Sequence, residues 1–443
     1  MSQEPASVQV ASRARRPVQC VVAVLVTIAA MALPALSPTG AQTATPTPTA
    51  ANGAAWLAGQ IDAGIPMQNF GSGDWGVTLD AAIALAAAEV GAGQIDAAWS
   101  AMVTERDSVI DTFGSGDSPG RLARMILLAH AIGEDPTAVG TAPGSDLVAR
   151  LVALEQTAGD DAGLFGPSSD ATYDGAFRQG YALAALAAAG VQTGVAATQW
   201  LIDQQCDDGS WMPYRSDLAV PCAFDAAAFL GPDTNSTGAA ITGLVAQDPA
   251  APAIDDAAVW LEGIQNADGG WGFFPGDISE PSSIALVWQA LVGADSTQVA
   301  ATQYAPATPL TALASFQLGC SAPDADRGAY TYPGSNDAPN TFSTAQAVPV
   351  AAGTVIGFGP TEPSADAPVL DCTVPTTTTT TTSTTTTSTT TTTASPAPAS
   401  PTVVVTPPAP ASVAGAAVAG ASVTGATGSV SGQSATRTIS FTG

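Results

Sequence analysis

The sequence predicts an all-α fold, an (α/α)6 toroid in which six helical hairpins close into an inner and an outer ring of helices. A helix–loop–helix pattern recurs in six copies, and Trp75 of the first copy and Tyr330 of the sixth are 255 residues apart, or 51 per step. Self-similarity at such a period is typical of repeat folds. The second helix of each copy is apolar nearly all round, as in residues 181–189 (YALAALAAA), and must therefore be buried. The first helices carry polar residues, which suits an outer ring.

The clearest copy of the repeat occupies residues 259–293. A first helix over 259–265 leads to a loop, DGGWG, at 268–272. Ser282 and Ser283 then open an apolar run that stops at Gly293. Serine, threonine, aspartate and asparagine cap the free amides of a helix start, and glycine takes the left-handed conformation at a helix end. Each copy therefore carries its own start and stop signals.

The other copies follow the same plan with less regular loops. The second copy lacks the Trp-Gly pair that follows Asp74 in the first. The many alanines of the second helices allow close helix approach. These expected inner helices cover residues 80–90, 121–132, 176–189, 233–244 and 282–291, with a sixth opening at Thr341.

The N-terminal residues 1–41 are typical of a signal peptide. Arg13, Arg15 and Arg16 precede an apolar run over 20–36, and small residues at 39 and 41 suit a signal peptidase. An uncleaved membrane anchor is the alternative, but the run is short for a bilayer span and is broken by a proline. We expect a linker over 42–53, the toroid over 54–355 and a disulfide-tied extension over 356–375.

The C-terminal residues 376–443 are predicted to form a disordered stalk and tail. Up to residue 393 the stalk is threonine interrupted by Ser383 and Ser388, and a Pro/Ala/Ser stretch follows. Such a composition cannot build a core. The last five residues, ISFTG, are similar to the recognition half of a sortase-type wall-anchoring signal, without the hydrophobic segment and basic tail. Cell-wall attachment is therefore an open alternative.

The net charge of the chain limits its possible partners, and its cysteines indicate whether it forms disulfides. The chain has no lysine and a net charge of −27, and residues 42–443 contain 8 arginines against 37 acids. Such a surface repels nucleic acid and anionic lipid, so we expect no nucleic-acid partner. The Gly/Ala/Ser/Thr/Val tail is too weakly apolar to span a bilayer, so we expect no membrane span in the mature chain. In an exported chain, Cys206, Cys222, Cys320 and Cys372 predict two disulfides, and 206–222 with 320–372 is the simplest of three pairings. The single histidine, His130, and the absence of a CxxC spacing argue against zinc.

Two loops carry a family resemblance. Residues 265–271 (QNADGGW) and 205–211 (QCDDGSW) share a Q-x3-G-x-W pattern that resembles the QW motifs of squalene–hopene and related triterpene cyclases. The pattern over 54–353 is also similar to protein prenyltransferase β subunits and, more distantly, to transcobalamin-like cobalamin carriers. The resemblance implies an (α/α)6 toroid. It also implies that Trp211 and Trp271 brace adjacent repeats and that the glutamines bond to nearby backbone.

The catalytic motifs that would identify an enzyme of this superfamily are missing from the sequence. The cyclases use a DxDD motif to protonate an alkene, and its nearest match here is Asp324-Ala325-Asp326 in a loop, where Arg327 suggests a salt bridge. The prenyltransferases hold zinc with Asp, Cys and His, whereas His130 lies in an apolar helix and is expected to be a core residue. We therefore expect no catalytic residues, no metal and no cofactor.

A binding role remains. In a closed ring the inner-helix starts converge on one mouth of the central cavity, with their free amides and partial positive charge. Arg178 on an Ala-rich inner helix should meet Asp174 or a ligand anion, because a buried unpaired arginine is costly. Residues 235–237 are similar to the inner-helix starts of the cobalamin carriers. The predicted ligand-binding residues are Asp174, Arg178, Tyr181, Asp233, Asn235, Ser236, Thr237 and Trp288.

Three functional hypotheses follow. The favoured one is a secreted or surface-displayed, non-catalytic toroid that binds a partner, a small apolar ligand or a cobalamin-like molecule in its central cavity. The alternatives are a divergent isoprenoid cyclase and a structural or adhesive head on a stalk. A wide apolar channel would favour the first two hypotheses, and a core filled by side chains would favour the third.

Overall fold

The computed structural model describes most of the predicted toroid, and all described residues belong to one compact unit that begins at Pro46. The predicted signal peptide, most of the linker and the stalk lie outside them. The described residues are 49–69, 71–111, 114, 116–166, 175–215, 220, 222, 224, 230–294, 308–336, 338–367, 370 and 372.

The described residues are mostly helical, as predicted, with one short β-hairpin formed by β1 (Gln68–Asn69) and β2 (Ser72–Gly73). None of the described helices is both long and apolar enough to cross a bilayer. The helices are α1 (Ala50–Ala63), α2 (Trp75–Ala87), α3 (Ala92–Thr104), α4 (Arg106–Ile110), α5 (Pro119–Ala131), α6 (Leu147–Val152), α7 (Ala176–Ala188), α8 (Val195–Asp203), α9 (Thr234–Gln247), α10 (Pro252–Gly263), α11 (Pro281–Gly293), α12 (Pro309–Ala314) and α13 (Thr341–Ala351).

The apolar helices form a closed inner ring. In the order α2, α5, α7, α9, α11, α13 each helix packs against the next, and α13 packs against α2. The remaining longer helices lie outside this ring, with α10 packed on α9, for example, and α12 on both α11 and α13. Burial separates the two sets: eleven of the thirteen residues of α11 are buried, against five of the twelve in α10. A helix without a polar face is thus enclosed by neighbours.

The first inner helix begins earlier than the sequence predicts. Helix α2 starts at Trp75 rather than at Asp80, because Asp74 is its cap and accepts hydrogen bonds from the amides of Gly76 (2.7 Å) and Val77 (3.3 Å). Asp80 is therefore one turn inside the helix. The first outer helix likewise begins at Ala50, four residues before the predicted boundary of the toroid.

The QW glutamines bond to nearby backbone, as the resemblance implied, and Gln205 also reaches the next repeat. The Gln205 side-chain amide donates to the carbonyl of Gly209 and to that of Ala253 in the next outer helix, both at 2.8 Å. The Trp211 indole is fully buried and donates to the Leu201 carbonyl at 2.8 Å. In the following copy, the Gln265 side-chain amide donates to the Gly269 carbonyl at 2.8 Å and the Trp271 indole donates to the Leu261 carbonyl at 2.7 Å.

A glutamine also closes the ring between the sixth and first repeats. The Gln317 side chain donates to the Thr49 carbonyl and accepts from the Thr49 amide, both at 2.9 Å. Its amide donates as well to the Gly328 carbonyl at 3.1 Å, and the Trp56 indole donates to the Ala325 carbonyl at 3.0 Å. The contact between neighbouring repeats therefore recurs where the chain meets its own beginning.

Residues 354–367, here called the strap, cross the C-terminal ends of the first inner helices. The Thr361 amide donates to the Ala131 carbonyl and the Ser364 amide to the Glu89 carbonyl, both at 2.9 Å. Helices leave their last carbonyls without partners, and the strap satisfies two of them. Both predicted disulfides are formed, Cys206–Cys222 and, beyond the strap, Cys320–Cys372.

The substitution Gly209→Ala should destabilise the protein by about 2–4 kcal/mol. Gly209 has a φ of +93°, and an added Cβ would lie 2.5 Å from the Asp256 carbonyl oxygen. The matched control is Gly263→Ala at the exposed end of α10, where no atom lies within 4 Å of the added Cβ. That substitution should leave stability unchanged or raise it by up to about 1 kcal/mol. Urea unfolding midpoints test this, and equal midpoints for the two variants would contradict the packing described.

Candidate binding site at the centre of the ring

The inner helices and the strap line a small, partly open central cavity with a free volume of about 60 Å³. Strap residues 356–358 form part of its wall, together with aliphatic side chains from several inner helices. A buried water needs about 10–15 Å³ of such volume, so the cavity has room for a few waters. Its polar lining residues are Asp80, Arg124, Tyr181, Gln289 and Gln346.

A buried ion pair lies in this lining. Arg124 of α5 places Nη1 3.4 Å from Oδ2 of Asp80 on α2, and the two side chains are 9% and 14% exposed. The Arg124 guanidinium carbon also lies 5.9 Å from the ring centroid of Tyr181 on α7, within reach of a cation–π contact. Three successive inner helices thus contribute one charged or aromatic side chain each.

The electrostatics of this cluster follow from burial. Desolvation raises the pKa of Asp80, while Arg124 and then Arg121 oppose that rise. Desolvation likewise raises the pKa of the Tyr181 hydroxyl. Because removing two charges from water offsets much of their attraction, a buried ion pair is a weak source of stability. Apolar side chains would pack the ring at least as well, which favours a functional role for the pair.

Two amide side chains complete the polar lining. The Gln289 amide donates to the Ala285 carbonyl of its own helix at 3.2 Å. The Gln346 Oε1 atom is buried and has no hydrogen-bond partner among the described residues. A buried acceptor normally has a donor. The cavity therefore offers carboxylate and amide acceptors together with guanidinium and hydroxyl donors.

Two further arginines lie nearer the N-terminal ends of the inner helices. Arg121 pairs with Asp74, Nη2 to Oδ1, at 3.5 Å, and its guanidinium lies against Gly76, where an added Cβ would be 2.6 Å from Nη1. Arg178 is 9% exposed, and its guanidinium carbon is 3.1 Å from the position of a Cβ on Gly166. Glycines thus make room for both guanidinium groups.

The predicted site residues on α7 and α11 separate in space. Tyr181 lines the cavity, and Arg178 lies one turn nearer the start of α7. Trp288 does not line the cavity, because it packs among side chains of α12 and α13, and Gln289 of the same helix lines the cavity instead. Asp174, the expected partner of Arg178, lies outside the described residues.

The predicted site residues at the start of α9 form a capping network. Asp233 accepts from the Ser236 amide at 2.7 Å. The Thr237 hydroxyl donates to the Asp233 carbonyl at 2.7 Å and accepts from the Trp211 amide at 3.0 Å. Asn235 is buried beside them. These contacts join the helix start to the QW loop, and none of the four α9 residues lines the cavity.

Sequence reasoning did not identify Arg124, Gln289 and Gln346 as site residues, and it placed Asp80 at a helix start. The available signal was a polar residue inside an otherwise apolar inner helix, as in residues 122–131 (LARMILLAHA). The expected loop salt bridge is formed, with Arg327 Nη2 2.7 Å from Asp324 Oδ1. In the part of the chain that the structure describes, no three His, Cys, Asp or Glu side chains could hold a metal ion.

A curated relative and several solved structures are similar to parts of this chain. No protein-family model matches the chain. The chain is 34% identical over 84 residues to the squalene hopane cyclase afumA of Aspergillus fumigatus, a match that covers 18% of this chain and 11% of that relative. Similar solved structures include the type II terpene cyclase MstE from Scytonema (15% identity, 69% of this chain, 96% of that one, TM-score 0.47). Another is the unsaturated glucuronyl hydrolase from Bacillus sp. GL1 (14% identity, 68% and 94%, TM-score 0.45).

The sequence match confirms the resemblance to the terpenoid cyclase and α/α toroid superfamily that the QW motifs indicated. The chain spans about a ninth of the length of the curated relative it matches. The resemblance therefore does not assign the activity of that relative to this chain.

Removing one partner of the central ion pair should cost more stability than removing both. Arg124→Met leaves the Asp80 carboxyl buried without its partner and should destabilise the protein by about 3–5 kcal/mol. The double variant Asp80→Leu/Arg124→Met should recover most of that loss, since it leaves no buried charge. Denaturant unfolding of the two variants tests this, and a double variant as unstable as the single one would show that the pair itself stabilises the ring.

Asp233 should make stability fall as pH rises between about 4 and 7. Burial raises the pKa of Asp233 to about 7, whereas the unfolded chain titrates near 4, so in this window the native state binds more protons. The control Asp233→Asn keeps the capping oxygen and removes the titration. From pH 5 to pH 8, the wild type should lose about 2.5 kcal/mol relative to this variant in urea unfolding. Parallel pH profiles would contradict the raised pKa.

Proposed function

We propose that this chain is an exported, non-catalytic (α/α)6 toroid, displayed on its C-terminal stalk, that holds a small molecule in its central cavity. The observation that carries the proposal is the polar cluster of Asp80, Arg124 and Tyr181 at the centre of a ring of apolar helices. A purely structural core gains little from a buried ion pair. A binding site uses a few polar groups in an apolar wall to orient its ligand.

The lining favours an amphiphilic ligand. Asp80 and the unpartnered Gln346 oxygen suit a head group that donates hydrogen bonds, and Ile356 and Phe358 of the strap suit an apolar body. Pockets for drug-sized ligands measure about 300–1,000 Å³. The cavity of about 60 Å³ is much smaller, so a ligand of that size needs a wider cavity, which displacement of the strap would provide. A cobalamin-like molecule would need a larger rearrangement than a small amphiphile.

Export and surface display are part of the proposal. The predicted signal peptide, the two disulfides and the threonine-rich stalk support it, because disulfides persist in oxidising compartments. Cell-wall attachment is proposed because residues 439–443 (ISFTG) are similar to the recognition half of a sortase-type signal.

A structural or adhesive head is the second candidate, and the small volume of the cavity favours it. A divergent isoprenoid cyclase is supported by the 84-residue match to a squalene hopane cyclase. A substrate of squalene size would need the same opening of the strap as a bound ligand.

Native mass spectrometry of the protein purified from its source tests the proposal. We expect a retained non-protein mass, since a cavity with an unpartnered buried acceptor, Gln346 Oε1, should hold its ligand through mild purification. Tyr181→Phe, which removes one cavity hydroxyl, should weaken retention about tenfold. Tyr214→Phe, which removes a hydroxyl outside the cavity lining, should not. A bare protein mass, under conditions that preserve a reference non-covalent complex, would favour the structural head instead.

A further inference from the structure

The strap is the removable wall of the central cavity. Ile356, Gly357 and Phe358 line the cavity, and the other lining residues belong to helices of the inner ring. Withdrawing an inner helix would break the ring, whereas withdrawing the strap would leave all six inner helices in contact with their neighbours. The strap is therefore the element through which the cavity can open with the least loss of structure.

The strap is held by apolar contacts of Ile356 and Phe358 with the core and by a few backbone hydrogen bonds that water can replace. Its backbone bonds at Thr361 and Ser364 reach the Ala131 and Glu89 carbonyls, and the Ala92 amide donates back to the Ser364 carbonyl at 3.0 Å. All these groups lie at the ends of helices, where water is an ordinary partner. The strap contains no helix and no ladder of strand hydrogen bonds. Local opening of such a segment costs far less than unfolding of the ring.

A disulfide fastens the far end of the strap. Its near end continues from α13, and beyond the strap Cys372 is bonded to Cys320 in the loop after α12. Both attachments belong to the sixth repeat, while the middle of the strap contacts the first and second repeats through Glu89 and Ala131. Cys320 is exposed and Cys372 is half-buried, so a reductant can reach this disulfide at Cys320, whereas Cys206 and Cys222 are both half-buried.

We infer that the strap is a lid over the central cavity and that the Cys320–Cys372 disulfide locks it, so that reduction of this bond opens the cavity to ligand. The inference rests on the proposed function, which makes the central cavity the ligand-binding site. The reductant is a dithiol: its thiolate attacks one sulfur to form a mixed disulfide, and its second thiol then closes a disulfide of its own. Two electrons and two protons end on Cys320 and Cys372.

Nitration of Tyr181 by tetranitromethane tests the lid without reference to any ligand. In the full-length Cys320→Ser/Cys372→Ser variant, peptide mapping should show Tyr181 nitrated at least about tenfold faster than in the wild type. Tyr330, which is fully buried outside the cavity, is the internal control and should not change. The matched variant Cys206→Ser/Cys222→Ser should leave the nitration rate of Tyr181 as it is in the wild type.

The outcomes separate the lid from the proposed function. Unchanged nitration of Tyr181 in the Cys320→Ser/Cys372→Ser variant overturns the lid, and so does equal acceleration of Tyr181 and Tyr330, which would mean general loosening. Faster nitration of Tyr181 alone supports the lid even where native mass spectrometry finds a bare protein. In mild dithiothreitol followed by alkylation, Cys320–Cys372 should open before Cys206–Cys222, and the reverse order overturns control by reduction.

Discussion

The structure depends on the close approach of helices that are apolar on all sides. Such a helix is stable in water when neighbours cover it all round, and in a ring every inner helix has two. The distance of approach is set by residues without bulk: an added Cβ on Gly180 would lie 2.0 Å from the Ala239 carbonyl oxygen, and one on Gly243 would lie 2.6 Å from Gly180. Small residues draw the ring tight, and the cavity that remains is correspondingly small.

The loops connect neighbouring repeats and so close the ring. Each QW-type glutamine bonds within its own loop, and Gln205 and Gln317 also reach the first turn of the next outer helix or the residue before it. For Gln317 the next outer helix is α1, the first helix of the chain. The sixth repeat therefore contacts the first as the repeat of Gln205 contacts the one that follows it. The Asp80–Arg124 ion pair is not part of the repeat pattern. Burying its two charges costs desolvation free energy, so packing alone does not explain it.

Helix identity and order could be predicted from the sequence, since caps, glycine stops and loop motifs are local signals. Helix α2 was predicted to start five residues late, because Asp80 and Asp74 are both plausible caps and the loop before them is irregular. The cavity lining could not be predicted. On a helix that is apolar all round, periodicity does not show which face points to the centre, so Trp288 was chosen where Gln289 lies in the lining. The course of the strap over the cavity has no sequence signal at all.

Hydrogen exchange along the inner ring tests closure most directly. If the ring is closed, the amides of α2 and α13 have helices on both sides and should be protected to within about tenfold of those in α7 and α9. If the repeats instead formed an open array, α2 and α13 would lie at its ends with one apolar side uncovered. Exchange at least about a hundredfold faster in α2 and α13 than in α7 and α9 would contradict the closed ring and the central site with it.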